Sequence, residues 1–333
     1  MTIVVEHTAE TIDIDRDFSR LIAPYRRELY AHCYRMLGSA HDAEDLLQET
    51  YLRAWKGYDR FEGRSSLRTW LHRIATTACL TALDRRGRRP LPTGLGAPTS
   101  EPEGRLVESP EVPWLEPMPD RLGPDLGDPG NVVADRESVR LALVAALQYL
   151  PAKQRAVLIL REVLRFSAAE VADVLDTTVP AVNSLLQRAR ARIAEILPEE
   201  DEVPEPSADQ RRLLERYVAA FESYDIPALT ELFTEEAAFE MPPYATWVRG
   251  REAIGRLIRA QCPARGAGDL VMLSTSANGQ PAFGMYLRGR DGVHRAFGVH
   301  VLTLVRGGVG HCSVFFDTDL FPLFDLPEEL PGR

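Results

Sequence analysis

A proline-rich stretch divides this 333-residue chain and limits what each part can form. Residues 90–134 contain ten prolines, at positions 90, 92, 98, 102, 110, 113, 117, 119, 124 and 129. Proline fixes φ and has no backbone N–H, so this density excludes a long helix or an interior strand. We predict a linker over 90–134 with folded domains on either side. Its apolar cluster at 114–119 either docks on one of those domains or stays unbound in a disordered tether.

The length of the chain allows two or three domains. Residues 1–89 and 135–198 show helical periodicity with few breakers, and 207–333 mix helical and alternating patterns. A short, acidic, proline-containing spacer fills 199–206. The predicted fold class is therefore a mainly α N-terminal part followed by an α+β domain with a curved antiparallel sheet.

The net charge of −10 is unevenly distributed. Basic residues exceed acidic ones in 1–89 and 135–197, whereas acidic residues dominate the linker and everything after 197. Local charge decides phosphate contacts, so the acidity of the whole chain does not exclude nucleic-acid binding.

Other features narrow the class of protein. No run approaches ~18 apolar residues, and the N-terminus lacks a basic segment followed by an apolar core, so we expect neither a membrane span nor a signal peptide. The four cysteines lie far apart and form no CxxC pair, which predicts free buried thiols in a reducing cytosol. We predict a cytoplasmic protein with no metal site and no cofactor.

Residues 42–56 predict an amphipathic helix with one acidic face. Ser39 followed three residues later by Asp42 is a helix-start signal, and apolar side chains recur at helical spacing from Ala43 to Ala54. Polar side chains cover the opposite face, namely Asp45, Gln48 and Glu49. Carboxylates repel phosphates, so this face suits a protein partner better than DNA.

Residues 167–193 predict a helix-turn-helix. Ser167 and Glu170 form a capping box, 176–178 make the turn, and a second helix runs from Val179 to about Ile193. The second helix exposes side chains that can bond base edges and phosphates, namely Asn183, Ser184, Gln187, Arg188, Arg190 and Arg192. The alternative is a plain helical hairpin with a solvated basic face.

Aromatic rings alternate with arginines between Tyr58 and Arg89, in a loop and a helix that runs to about Arg86. Such a mixture suits unpaired DNA, whose exposed bases can stack on rings or be held flipped out. The loop at 63–66 can close around a single base. In the alternative interpretation, Trp70 and its apolar neighbours are core and the arginines form a solvated face.

The order of these blocks resembles a known family. The run Asp-Ala-Glu-Asp-Leu-Leu-Gln-Glu-Thr-Tyr-Leu-Arg-Ala-Trp at 42–55, the segment 61–75 and the segments at 150–162 and 167–190 resemble regions 2 and 4 of bacterial extracytoplasmic-function (ECF) sigma factors of the sigma-70 family. The chain after 207 resembles the SnoaL-like, NTF2-like domains that some of these sigma factors carry.

The resemblance implies three sets of contacts. The β′ clamp helices of RNA polymerase would bind Asp42, Asp45, Gln48 and Glu49. The melted −10 strand would contact Arg64, Ser65, Ser66, Arg68, Trp70, Arg73 and Arg85. The −35 duplex would contact Thr178, Asn183, Ser184, Gln187, Arg188 and Arg190. The expected partners are thus core RNA polymerase, through its β′ and β subunits, and promoter DNA.

The NTF2-like domain would be a cone with an apolar pocket. Candidate lining residues are Met241, Tyr244, Trp247, Phe283 and His300. Catalysis there would need a carboxylate base with a shifted pKa and a polar partner inside the cone, and the sequence cannot place such a pair. We therefore predict no catalytic residue and no enzymatic activity.

The predicted function is an ECF-type sigma factor that directs promoter recognition and transcription initiation. Two alternatives remain at this stage: a ligand-responsive helix-turn-helix regulator, and a SnoaL-like hydrolase or isomerase with accessory helical domains. The acidic tail suggests regulation, because a tethered domain has a high effective concentration at the surfaces it can reach. Our hypothesis is that it packs against the helical domains and biases polymerase or promoter binding.

Overall fold

The computed structural model describes residues 18–85, 87–124, 138–197 and 208–331. The described residues form two compact units. The helical unit draws on Met1–Gly87, Arg121–Val139 and Leu147–Ile193, and the sheet unit on Arg88–Asp120, Arg140–Ala146 and Ala194–Arg333. The predicted acidic spacer, the end of the predicted linker and its boundary at 135 lie outside the described residues.

Helices are the main regular elements of the described residues before 198. In chain order they are α1 Arg26–Leu37, α2 Ala40–Gly57, α3 Leu67–Leu83, α4 Leu141–Leu147, α5 Ala152–Leu158, α6 Ala168–Val174 and α7 Val179–Ile196. A single π-helical turn, Ile159–Val163, continues α5. Most of α4 belongs to the sheet unit. Among the described residues, no helix is long and apolar enough to cross a membrane.

Side-chain caps fix where these helices begin. The Ser39 hydroxyl accepts a hydrogen bond from the Asp42 backbone N–H, and the Ser66 hydroxyl accepts one from the Thr69 N–H. Ser167 opens α6 with a complete capping box. Each cap satisfies a backbone donor that the first turn leaves unpaired, so the predicted helix starts follow from local chemistry.

Two buried arginines connect α1 to chain that follows the linker, within the helical unit. Arg35 is 1% exposed and donates to the backbone oxygen and hydroxyl of Ser138, at 3.0 and 2.7 Å. Arg155 donates to the Met36 backbone oxygen and, at 2.7 Å, to the Gln148 side-chain oxygen. Burial lowers the pKa of Arg155 to about 10, so its guanidinium stays charged at neutral pH. Removing the acceptors would leave a buried charge unpaired, which is costly.

The sheet unit combines helices with one twisted sheet. Its remaining helices are α8 Ala208–Glu222, α9 Ile226–Thr230, α10 Arg251–Gln261 and α11 Leu320–Leu323. Its strands are β1 Phe233–Glu240, β2 Trp247–Arg249, β3 Leu270–Ala277, β4 Gln280–Arg288, β5 His294–Val305, β6 Gly308–Phe315 and β7 Glu329–Leu330. The strand order is β2-β1-β6-β5-β4-β3, with β7 paired to β5. Helices and strands cover an apolar core that includes Tyr217, Phe233, Leu257 and Leu302.

The sheet predicted to be antiparallel contains one parallel pair. β1 pairs with β6 in parallel, Phe239 opposite Cys312, whereas the other neighbours along the sheet are antiparallel. The parallel pair joins strands far apart in sequence, and alternation of apolar residues carries no information on strand direction.

The described part of the linker is irregular but packed against the sheet unit. The buried carboxylate of Glu240 accepts from the Thr93 backbone N–H at 3.0 Å, and Trp247 Nε1 donates to the Gly96 oxygen at 2.9 Å. Met118 and Asn278 exchange two hydrogen bonds, each of 2.9 Å. Prolines therefore exclude regular structure here without preventing close packing.

The charge of Glu240 is supported from several sides. Burial acts to raise its pKa, but His311 at 2.9 Å and hydrogen bonds from Ser313 and Thr93 outweigh burial and hold the pKa below its usual range. The carboxylate therefore remains ionised and anchors the start of the linker.

Replacing Gly38 with alanine should destabilise the helical unit. Gly38 ends α1 at φ +69°, and a Cβ there would lie 3.0 Å from the Gln148 side chain that supports Arg155. We expect a loss of about 1–2 kcal/mol in the free energy of unfolding, measured by urea denaturation followed by circular dichroism. Gly87→Ala is the control, since a Cβ there meets nothing within 4 Å. Equal effects of the two substitutions would contradict this account of the α1 end.

Candidate protein and nucleic-acid interfaces

The outer face of α2 presents the predicted polar residues to solvent. Asp45 and Gln48 are exposed, and Glu49 is half-buried and pairs with Arg53 at 2.5 Å. Asp42 lies in the first turn of α2 and is half-buried. The inner face is buried as predicted through Ala43, Leu46, Leu47, Thr50 and Ala54.

Sequence reasoning missed two apolar side chains on this outer face. Leu52 is 60% exposed and Trp55 is 43% exposed. They follow Gln48 by four and seven residues, so all three lie on one side of α2. Their positions on the polar side of the helical pattern were the available signal. Together with Asp45 and Glu49 they form a surface that we call the α2 face.

The loop before α3 is open and strongly polar. Gly63 adopts φ +69°, in the left-handed region that favours glycine. Arg64 is 84% exposed and pairs with Glu62 at 2.9 Å. Ser65 is exposed, while the Ser66 hydroxyl is used to cap α3. The predicted −10 residues of this loop are therefore accessible, apart from the Ser66 hydroxyl.

Farther along α3, Trp70 is half-buried and its ring lies 4.9 Å from the Phe61 ring. Arg73 and Arg85 are exposed. An accessible aromatic ring beside free cationic side chains can stack on a base and hold its phosphate.

Arg68 is bonded to protein groups within the helical unit. Its guanidinium bonds both carboxylate oxygens of Glu28, at 2.7 and 2.9 Å, and the Leu164 backbone oxygen at 2.9 Å. It also lies 4.4 Å from the centre of the Phe166 ring. Most of the hydrogen-bonding capacity of the Arg68 guanidinium is thus used by protein acceptors, although a third of the side chain remains exposed. The prediction that Arg68 contacts DNA stays a prediction. The sequence shows that Arg68 is basic and lies on a helix, but it does not show that the guanidinium is already paired with a carboxylate.

A buried histidine sits beside this arginine. His72 Nδ1 donates to the Arg68 backbone oxygen at 3.0 Å, and His72 Nε2 is 3.4 Å from Glu28 Oε1. Its ring is 5.2 Å from that of Phe166. Burial lowers the pKa of His72 to about 4, although Glu28 opposes this. The neutral, buried ring therefore packs α3 against Phe166, next to the partly exposed pair of Arg68 and Glu28.

The helix-turn-helix has the predicted geometry. α6 and α7 are joined by a turn in which Asp176 has φ +49°, the left-handed conformation that aspartate tolerates. The Thr178 hydroxyl accepts from the Ala181 N–H at 3.4 Å. The predicted contact residues of this motif are all exposed: Thr178, Asn183, Ser184, Gln187, Arg188 and Arg190. Arg190 pairs with Glu162 at 2.7 Å.

The helical unit brings the loop and the helix-turn-helix to one groove of about 470 Å³. One wall holds Arg64, Ser65, Trp70 and Arg73, and the other holds α6 and its turn up to Thr177. The Thr69 hydroxyl donates to Glu170 across this junction at 3.3 Å. The loop predicted to read the −10 element thus adjoins α6 and the turn that leads into α7, whereas the predicted −35 residues do not line this groove.

The sheet unit encloses an apolar cavity of about 420 Å³. Met241, Tyr244 and His300 line it, as predicted. The other two candidates, Trp247 and Phe283, are not among its lining residues. Trp247 is covered by the linker through its bond to Gly96, and Phe283 packs beside Tyr217, with ring centres 5.8 Å apart, and borders a different depression. Alternation along a strand does not reveal which face the cone encloses.

Comparison with known proteins is consistent with each part of this architecture. The sequence profile of Sigma-70 region 2 matches residues 21–89, that of Sigma-70 region 4 matches 140–193, and that of the SnoaL-like domain matches 214–309. These parts define a modular transcription initiation factor. The chain belongs to the ECF RNA polymerase sigma factors of the sigma-70 family.

Two relatives support the membership in this family, and one solved structure shares the fold. The chain is 58% identical to the ECF RNA polymerase sigma factor SigG of Mycobacterium tuberculosis H37Rv, over 94% of this chain and 85% of the relative. It is 30% identical to SigW of Bacillus subtilis, over 53% of this chain and 87% of the relative. The crystal structure of M. tuberculosis SigJ has the same fold, with a TM-score of 0.59 at 24% identity, covering 93% of this chain and 99% of SigJ.

The predicted function is thereby confirmed: the protein is a non-enzymatic sigma factor with a C-terminal SnoaL-like domain. The two alternatives, a repressor-type regulator and a hydrolase or isomerase, are set aside. Among the described residues, no cluster of three or more His, Cys, Asp or Glu side chains could hold a metal ion.

Replacing Arg68 with alanine should weaken the helical unit. The change removes the Glu28 pair, the bond to Leu164 and the ring contact, and it leaves Glu28 beside a buried histidine. We expect a loss of about 2 kcal/mol in the free energy of unfolding, measured by urea denaturation. Arg73→Ala, an exposed arginine on the same helix, should change it by less than about 0.5 kcal/mol. A loss for Arg73→Ala as large as that for Arg68→Ala would contradict the assignment.

Proposed function

We propose that the α2 face docks this sigma factor onto core RNA polymerase, through the β′ clamp helices. The carrying observation is that Leu52 and Trp55 remain exposed among Asp45, Gln48 and Glu49. Large apolar side chains in solvent, flanked by charge, are typical of a protein interface whose apolar centre is enclosed by a polar rim. A cytoplasmic location is part of the same proposal, since core polymerase must be accessible.

The −10 element is assigned to the loop at 62–66 and the start of α3. Arg64 and Ser65 are exposed in the loop, and Trp70 offers a ring behind it. Arg73 and Arg85 lie farther along the chain and supply positive charge for the phosphate backbone of a melted strand. Arg68 is left out of this assignment because of its contacts with Glu28 and Leu164.

The −35 element is assigned to α7. Asn183, Gln187 and Arg188 are exposed at successive turns, and these side chains suit adenine and guanine edges in the major groove. Thr178 lies at the N-terminal end of the helix, where backbone N–H groups favour a phosphate.

Both DNA elements cannot be bound while the helical unit keeps its present form. The names −10 and −35 place the two elements about 25 base pairs apart. This separation corresponds to a length on the order of 80 Å along a duplex. The −10 loop instead shares a groove with α6 and the turn before α7, and Arg68 and Arg155 bond between the two regions. We infer that regions 2 and 4 separate when the factor engages polymerase and promoter.

The C-terminal domain is proposed to regulate this separation through the linker between the two regions. The sheet unit holds the linker by Glu240, Trp247 and Asn278, and the Gln280 side chain accepts from the Leu141 N–H at 3.0 Å at the start of α4. A linker held at these points restricts how far the regions it joins can move apart.

Trp55→Ala should weaken binding to purified core RNA polymerase about tenfold or more, because a central aromatic side chain of an interface typically contributes most of the affinity. Binding is measured by fluorescence anisotropy of labelled full-length protein. The matched control is Leu95→Ala, an equally exposed apolar residue of the linker.

Run-off transcription from the cognate promoter gives a second readout, with Glu49→Ala as a further variant. If Trp55→Ala and Leu95→Ala bind core polymerase equally well, the α2 face is not the docking surface.

Asn278→Gly should release the end of the linker while preserving the backbone, because glycine accepts the φ of +58° that Asn278 adopts. The lost bond to the Met118 N–H should raise hydrogen exchange of 116–120 and change run-off transcription at least about twofold. Core-polymerase affinity should stay constant. The control is Ser276→Gly, an exposed position nearby on β3. Released linker amides with unchanged transcription would contradict regulation through the linker.

A further inference from the structure

The cavity of the sheet unit has the composition of a site for a neutral, largely apolar small molecule. Its volume of about 420 Å³ falls within the range of small-molecule sites. Its lining contains no Asp, Glu, Lys or Arg. A charged ligand would lose its hydration without gaining a counter-charge, so the lining selects against ions.

One polar atom in this lining is buried without a partner. His300 is 1% exposed, and its Nδ1 bonds the Tyr217 hydroxyl at 2.9 Å. Its Nε2 has no hydrogen-bond partner among the described residues. Burial lowers the pKa of His300 to about 3, so the ring is neutral. His300 lines the cavity, whereas Tyr217, which bonds its Nδ1, does not. We therefore assign the opposite edge of the His300 ring, the one that carries Nε2, to the cavity.

The orphan nitrogen restricts the ligand further. Buried polar groups are almost always hydrogen-bonded, and leaving one unpaired is unfavourable. A carbonyl or hydroxyl oxygen of a ligand would complete His300, while apolar atoms would fill the space between Met241, Met285 and Phe316.

Part of the cavity wall comes from the linker and not from the cone. Leu106 lines the cavity within a strap of residues 102–109. Gln261 Nε2 donates to the Gly104 oxygen at 2.8 Å, and the Tyr244 hydroxyl donates to Glu108 at 3.2 Å. The Ser109 N–H donates to the Pro243 oxygen at 3.0 Å. Gln261 and Tyr244 are themselves lining residues, so the residues that would touch a ligand also hold the strap.

We propose that this cavity binds a neutral, mainly apolar small molecule through an oxygen on His300 Nε2, and that the bound molecule stabilises the strap over it. The ligand contacts Leu106 only when the strap is docked, so binding shifts the strap toward the docked state by the free energy of that contact. This step builds on the proposed role of the linker, but the binding site itself requires neither polymerase nor DNA.

The test uses full-length protein and the dye prodan, a neutral naphthalene ketone whose fluorescence reports an apolar site. Wild type should bind it saturably. His300→Phe, which keeps the ring and removes the donor, should weaken binding about tenfold. Val314→Trp, which fills the cavity, should weaken it at least as much. Thermal unfolding of each variant, followed by circular dichroism, verifies that it is folded.

A second pair of variants examines the strap without disturbing the core. Leu106→Ser should weaken prodan binding about fivefold, while Val107→Ser, at the neighbouring position that is 63% exposed, should leave it unchanged. Prodan should also slow amide hydrogen exchange of 102–109 in wild type and in Val107→Ser, but not in Leu106→Ser.

Binding that is insensitive to Val314→Trp and Leu106→Ser would overturn the site. Binding that leaves exchange at 102–109 unchanged would overturn the coupling to the strap. Neither result depends on transcription, so failure here is distinguishable from failure of the α2 face as the polymerase-docking surface.

Discussion

Guanidinium contacts join regions 2 and 4 of this sigma factor within the helical unit, and the proposed separation of the two regions would have to break them. Arg155 bonds the end of α1, and Arg68 bonds Glu28 and the Leu164 oxygen. A buried arginine stabilises a junction only while its acceptors remain in place, because losing one partner leaves a charge unpaired. In the proposed open state these groups would return to water together. A two-state element of this kind is what a regulated initiation factor requires.

In the proposed regulation, the sheet unit acts on this junction through the linker that joins regions 2 and 4. Its side chains accept linker backbone N–H groups at Thr93 and Met118, and Gln280 does the same at the start of α4. A SnoaL-like fold whose cavity is lined in part by the linker suits the proposed sensing, because a bound molecule would contact the segment that joins regions 2 and 4. The absence of catalytic activity is consistent with this use of the fold.

Local chemistry allowed most elements to be predicted from sequence. Serine caps and helical periodicity define α2, α3, α6 and α7, and the turn at Asp176 follows from what aspartate tolerates. The misses share one cause, which is contact between residues distant in sequence. In the sequence, Arg68 has the features of a DNA-contacting residue. Only the structure shows that it pairs with Glu28, 40 positions away. Phe283 and the parallel pairing of β1 with β6 likewise depend on which face and which neighbour the sheet selects. Leu52 and Trp55 were readable as exceptions to the polar face of α2.

The account is tested most directly by the distance between the two reading surfaces before and after promoter engagement. Spin labels at Glu62 and Asp176, in a Cys262→Ser background, report this distance by double electron–electron resonance. Free protein should give one short distance, because both positions border the same groove. With core polymerase and promoter DNA the distance should lengthen toward the order of 80 Å. A short distance that persists in a transcriptionally active complex would contradict the opening of the helical unit.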